Sequence, residues 1–170
     1  MTTLRRTLDE FLQWTVIFLM IVLTLVVIIA VFARKFGASL VWYDEVASIL
    51  LAWVTYYGAA LAALKRRHIG FDGLLLRLPL NARMTAVAVS EVLVLGFFLL
   101  LAWTGIEVLA VVGGDSLVSL PWVPIMLTQS VIPIGAALFI ICELISLPAY
   151  WRSMLEGRSL EHPEYVPERT

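Results

Sequence analysis

The sequence predicts an all-α integral membrane protein built on four transmembrane helices, and three observations carry that prediction. Of 170 residues, 61% are hydrophobic and 15% charged, with a mean hydropathy of +0.95. One small soluble domain has too little interior to hide that much apolar surface. The charges fall in gaps between long apolar runs, so the formal net charge of -1 says less than their positions do. Four of those runs approach or exceed the roughly 20 residues that cross a hydrocarbon core of about 30 Å.

Residues 1–13 (MTTLRRTLDEFLQ) set Leu4, Leu8, Phe11 and Leu12 at helical spacing beside Arg5, Arg6, Asp9 and Glu10. This is an amphipathic lead-in for the interface, running straight into the first span. That span, residues 14–33, starts at Trp14, has Thr24 as its one polar residue from Val16 to Ala33, and closes on Arg34 and Lys35. Its apolar stretch exceeds the core of about 7 to 15 residues found in a secretory signal, and Asp9 and Glu10 spoil the basic flank. It is read as a retained helix, even though Val31-Phe32-Ala33 would make a tolerable cleavage site.

The second span, residues 44–64, has Trp42, Asp44 and Glu45 at one end and Lys65, Arg66, Arg67 and His68 at the other. Small residues Gly58, Ala59, Ala60, Ala62 and Ala63 suit close helix contact, either within this chain or at a seam with another subunit. Residues 65–83 then mix Lys65, Arg66, Arg67, Arg77 and Arg83 with Phe71 and several leucines, against the single acid Asp72. Too short and too charged to span, this stretch suits a short interfacial helical segment along the headgroups. Pro79 breaks it, and Asn81 is a reasonable cap for the third span.

The third span, residues 84–112, would be about 43 Å long as a helix, so it must tilt or project. Glu91 and Glu107 lie about 24 Å apart along its axis, which lets each approach an interface. An intramembrane carboxylate is a functional hypothesis by default. The open readings are proton or ion coupling, and a snorkelling or subunit-facing glutamate. Gly113-Gly114-Asp115 and Leu120-Pro121-Trp122-Val123-Pro124 make a turn-rich loop. The fourth span, residues 124–147, is expected to kink at Pro133, beside Gly135. Glu143 lies near its end, at the depth where Glu91 enters from the same side, with Arg152 one plausible partner among several. Pro148 marks the exit. Residues 1–150 thus form a single four-helix membrane domain, and 151–170 a polar cytoplasmic tail.

Four spans put both termini on one side. Every basic residue except Arg34 and Lys35 lies on that side, so the positive-inside rule places both termini in the cytoplasm. Asp44 and Glu45 then face the outer surface, level with Arg34 and Lys35. These charges either pair across the hairpin or meet another subunit or a docking soluble protein. The single cysteine, Cys142, excludes an intrachain disulfide and a multi-cysteine metal or redox site. His68 and His162 lie outside the spans and supply neither paired haem ligands nor a metal site. No glycine-rich phosphate loop, HExxH or serine, histidine and aspartate set is visible, which argues against an enzyme. Nor is there a basic face with interleaved aromatics for nucleic acid.

Several residues keep a distinctive order: Arg34; Trp42, Asp44 and Glu45; Trp53; Gly58 and Ala59; Arg66, Arg67, His68 and Ile69; Asp72; Leu78 and Pro79. Ser119-Leu120-Pro121 and Ile132-Pro133-Ile134-Gly135 come later in the chain. In that order and spacing the chain resembles the small membrane subunit, DctQ type, of tripartite ATP-independent periplasmic (TRAP) transporters. The likeness omits both tails, and it departs from the family pattern where Lys35-Phe36 stands in place of an aromatic directly after the arginine.

The resemblance implies a non-catalytic subunit of the bacterial inner membrane, embedded in the lipid bilayer. Its partners would be a large multi-span TRAP subunit, which holds the sodium and substrate sites, and a periplasmic substrate-binding protein. The cargo would be an organic acid of the dicarboxylate or sialic acid class. No cofactor is then expected in this chain, and sodium ions belong to the large partner. Arg34, Trp42, Asp44, Glu45, Asp115 and Pro121 are the expected outer-face or structural positions. Trp53, Gly58, His68 and Asp72 are expected to set the helix hairpin and its inner boundary. Glu91, Glu107 and Glu143 are the intramembrane carboxylates. The competing reading is a self-sufficient, proton-coupled four-helix transporter acting as a homo-oligomer, in which Glu91 would have to serve.

Overall fold

The computed structural model describes residues 3–66 and 75–157, and among them all regular structure is helical. The helices are α1 (Thr3–Lys35), α2 (Tyr43–Lys65), α3 (Leu80–Val111), α4 (Ile125–Gln129) and α5 (Val131–Leu155). Among the described residues, four stretches are long and apolar enough to cross a membrane: α1, α2, α3, and α4 with α5 taken together.

The amphipathic lead-in and the first span are one continuous helix. Several of its polar side chains are dealt with locally: Arg6 Nε donates to Glu10 Oε1 at 2.9 Å, and the Thr7, Thr15 and Thr24 hydroxyls donate to the carbonyls four residues back. Satisfied hydroxyls of this kind are tolerated in hydrocarbon, where no water is available to bond them. At the far end Gly37 takes a positive φ of 80°, and Ala38 donates to the Ala33 carbonyl at 2.9 Å. That left-handed residue stops the helix and turns the chain into α2.

Acidic Asp44 and Glu45 occupy the first turn of α2, where the helix dipole favours negative charge. The helix ends at Arg66 (φ 52°, ψ 40°), whose N–H donates to the carbonyls of Ala62 and Ala63. A left-handed non-glycine residue costs on the order of 1 kcal/mol. The contacts of its guanidinium with α3 and α5 hold Arg66 there.

Pro79, rather than Asn81, takes the N-cap position of α3, and its carbonyl accepts the Arg83 N–H at 2.9 Å. Asn81 lies inside the first turn, where its own carbonyl accepts the Thr85 hydroxyl. Proline suits this boundary because the first helical turn has no use for its missing N–H. The fourth span is interrupted at Ser130, three residues ahead of Pro133. Pro133 has no N–H to donate back to Gln129, and the ladder resumes with Ile134 N–H to the Ser130 carbonyl at 3.2 Å. Pro148 does not mark the exit: α5 runs through it to Leu155, as membrane helices allow when neighbours satisfy the freed backbone group.

The helices pack as a row. α1 packs on α2, α2 on α5, and α5 on α3, while α1 and α3 have at most marginal contact. The order across the row is therefore α1, α2, α5, α3, and the two flanking helices are open on their far sides. The core lies toward the end of the row that carries Thr3 and Leu155, called here the terminal end. Leu12, Ala60, Ala63, Leu64, Phe139 and Cys142 form its buried cluster, and a second cluster joins Leu76, Val87 and Met154. The Phe98 and Phe139 rings stack at 3.6 Å between centroids, tying α3 to α5.

The close helix approaches are made at glycines other than Gly58. A Cβ on Gly135 would come within 2.6 Å of the Tyr56 Cβ, and one on Gly105 within 3.0 Å of Ile132 and Pro133. A Cβ on Gly58 would meet open space. The small-residue stripe therefore divides, with Ala60 and Ala63 packed inside the chain and Gly58 beside a gap.

Candidate functional site: a charge cluster and a capped loop

Arg66 is the hub of the terminal end. Its Nη1 lies 2.5 Å from Glu91 Oε1 and 2.8 Å from Glu143 Oε1. Nε donates to Ser146 Oγ at 2.8 Å, and Nη2 donates to the Glu143 carbonyl at 3.3 Å. The guanidinium also lies over the Tyr150 ring, 4.6 Å from its centroid. Ser146 Oγ sits 3.0 Å from the carbonyls of both Ala63 and Glu143, so its single proton serves the same junction. One side chain at the end of α2 thus reaches both α3 and α5.

A planar guanidinium with five donors suits this task, where a lysine ammonium could not span the same set. Arg66, Glu91 and Glu143 are all nearly enclosed, with side chains 10%, 10% and 5% exposed. The cluster lies about 17 Å from the start of α3. A smaller junction beside it fastens α1. Lys65 Nζ lies 3.3 Å from Asp9 Oδ1, and Arg5 Nη2 donates to the Leu64 carbonyl at 3.1 Å.

The opposite end, where the 36–42 and 112–124 loops lie, is held by side chains capping backbone. Glu45 accepts the N–H groups of Val118 (3.2 Å) and Ser119 (3.0 Å), and also the Ser119 hydroxyl. The loop folds back on itself, with Leu117 N–H donating to the Val123 carbonyl and Ile125 N–H to the Asp115 carbonyl. Deeper along α2, Trp53 Nε1 donates to the Thr128 carbonyl at 3.3 Å, and its ring stacks on Tyr57.

These contacts place the residues singled out from sequence. Arg34 and Lys35 form no ion pair with Asp44 or Glu45 among the described residues. Arg34 instead donates to the Tyr43 hydroxyl at 2.5 Å and lies over that ring, and Glu45 turns to the 117–119 segment. The pairing across the hairpin gives way because backbone N–H groups of the facing loop offer Glu45 a better-ordered partner than long, exposed cations. Trp42 precedes α2 and its carbonyl accepts the Val46 N–H, while Asp44, Asp115 and Pro121 are exposed. Glu107 accepts the Trp103 indole N–H at 3.0 Å on the exposed face of α3.

Glu143 pairs with Arg66, not with Arg152, which is exposed. His68 and Asp72 lie outside the described residues. The hub role of Arg66, and the parts played by Ser146, Ser119 and Thr128, were missed in the sequence. The usable signal was depth: two carboxylates at one level beside the basic run that ends the second span.

Four helices long and apolar enough to span a membrane, three of them joined by a buried ion cluster, define the class: an integral membrane protein. Within that class the chain belongs to the family described as Tripartite ATP-independent periplasmic transporters, DctQ component, which it matches over residues 23–152. It is accordingly a small inner-membrane component of a tripartite transporter. A comparison with curated proteins found no match to the chain.

Proposed function

We propose that this chain is a non-catalytic scaffold subunit. In this reading it carries and steadies the large transport subunit of a sodium-coupled organic acid importer, and helps dock the periplasmic binding protein. Both termini are cytoplasmic, as the distribution of basic residues favours. The observation that carries the reading is the open row. α1 buries only Leu12, Leu19 and Ala30 of its 33 residues, and Phe18, Leu25, Ile29 and Phe32 stand clear of the chain's own packing. A flank packed on one side against α2 and open on the other supports a role as a platform, since helix association in membranes rests on packing and not on escape from water. The proposed docking face is the loop end, where exposed Asp44 and Asp115 neighbour Phe36, Val41, Val118 and Trp122, all at least 77% exposed.

The test is affinity purification of the tagged full chain from gently solubilised native membranes. The expected result is one much larger polytopic partner in roughly stoichiometric yield. Reconstitution of both, with a binding protein, should then give sodium-dependent uptake of an organic acid. Recovery of the chain only as a homo-oligomer, with flux in liposomes that contain it alone, would sink this reading.

A further inference from the structure

Among the described residues, the buried cluster at the terminal end does not balance its charge. One guanidinium faces two carboxyl groups, and Glu91 and Glu143 are 8% and 4% exposed as whole residues. Arg66 engages one oxygen of each, and the second oxygens, Glu91 Oε2 and Glu143 Oε2, are buried with no hydrogen-bond donor. Both carboxyl groups meet the same nitrogen, Arg66 Nη1, at 2.5 and 2.8 Å, so they share one donor. Two carboxylates so placed cannot both stay ionised without a second positive charge, because a buried unpaired charge is far costlier than a neutralised one.

Among the described residues, the surrounding groups do not supply that charge. On α2, Lys65 is turned to Asp9 of α1, and Arg5 of α1 is turned to the Leu64 carbonyl. On α3, Arg83 lies two turns away toward the terminal end, about 12 Å along the axis. α5 contributes Cys142, Ser146 and Tyr150 nearby, and Arg152 and Glu156 two turns or more beyond Glu143. Among the described residues both ion pairs of these carboxylates are with Arg66.

We propose that Glu91 and Glu143 hold one proton between them against Arg66, making the cluster a proton-binding site that joins α2, α3 and α5. The proton comes from solvent and turns one of the two carboxylates into a neutral acid, beside the buried oxygens that lack a donor. With it the cluster is neutral; without it the junction of three helices carries a buried negative charge. The site goes beyond the scaffold reading and does not depend on it, since a proton held in place need not be transported.

The test is infrared difference spectroscopy on the full chain in lipid nanodiscs. Wild type at neutral pH should show a protonated-carboxyl C=O band that shifts in D2O and disappears as the pH is raised. The band should be lost in Glu91→Gln and equally in Glu143→Gln, because either leaves a single carboxylate matched to Arg66. Absence of the band in wild type at neutral pH overturns the proposal, and that arm needs no variant to fold. So does a band that appears only when sodium is removed, which would mean that a metal cation supplies the charge. Survival of the band in either single variant would also overturn it, because burial of one acid, and not sharing, would then hold the proton.

Discussion

The two ends of the helix row are held together by different chemistry. At the terminal end one arginine gathers two carboxylates, a hydroxyl and a carbonyl from neighbouring helices. At the loop end a carboxylate and an indole cap backbone groups of the facing segment, in separate small contacts. The first arrangement is concentrated and buried, and the second is distributed and partly open. An open row has few places for a dense apolar core, so a single multidentate side chain can carry the junction of three helices. The cost is that the polar junction there depends on one residue.

Removing that residue is the strongest way to break the comparison. Arg66→Met leaves the two buried carboxyl groups without their cation, a loss of about 3 to 5 kcal/mol in systems where one partner of a buried pair is removed. A denaturant titration in mixed micelles should show a markedly lower unfolding midpoint. Arg66→Lys should fall between, since an ammonium keeps the charge but not the fork. An unchanged midpoint in Arg66→Met would mean that apolar packing holds this end.

Next in size is the contact between α2 and α5. Gly135→Ala puts a methyl group 2.6 Å from the Tyr56 Cβ, and overpacking of this kind costs about 1 to 3 kcal/mol. Gly58→Ala is the control, expected to fall within about 0.5 kcal/mol of wild type because the added methyl meets open space. Equal effects from the two would move the close approach to a different face of α2.

At the loop end, Glu45→Gln should speed amide hydrogen exchange at Val118 and Ser119 while leaving the terminal end unchanged. Spread of that effect to α5 near Ser146 would show that the two ends are coupled. The smallest effect is expected from Trp53→Phe, which removes one indole hydrogen bond. Interhelical hydrogen bonds in membranes average about 0.6 kcal/mol, and the same titration would read it as a slight shift.

How much of this was legible in the sequence differs from residue to residue. The second helix was expected over 44–64 and runs Tyr43–Lys65, because uncharged run and charged ends coincide in sequence. The break before Pro133 was legible for the same local reason, a missing N–H. Pro148 was misjudged by that same rule, since local chemistry does not say whether neighbouring helices will support a proline. The shared depth of Glu91 and Glu143 could be counted along the helices. Their shared cation could not, because Arg152, Lys65 and Arg66 all lay at plausible levels and only the helix order brings Arg66 between them. Gly58 shows the same limit: a small residue permits close approach, and the facing helix decides whether one occurs.

The sequence by itself determined that this chain lives in a bilayer, how many times it can cross, and where each crossing begins. Those properties are sums over consecutive residues, fixed by transfer of apolar side chains and by the length of a helix. Tertiary structure alone decided that the four spans lie in an open row, that Gly135 and not Gly58 makes the tight contact, and that Arg66 ties α3 and α5 together. Those outcomes depend on which faces meet across dozens of intervening residues, and steric fit and buried charge act only after the helices have been brought together.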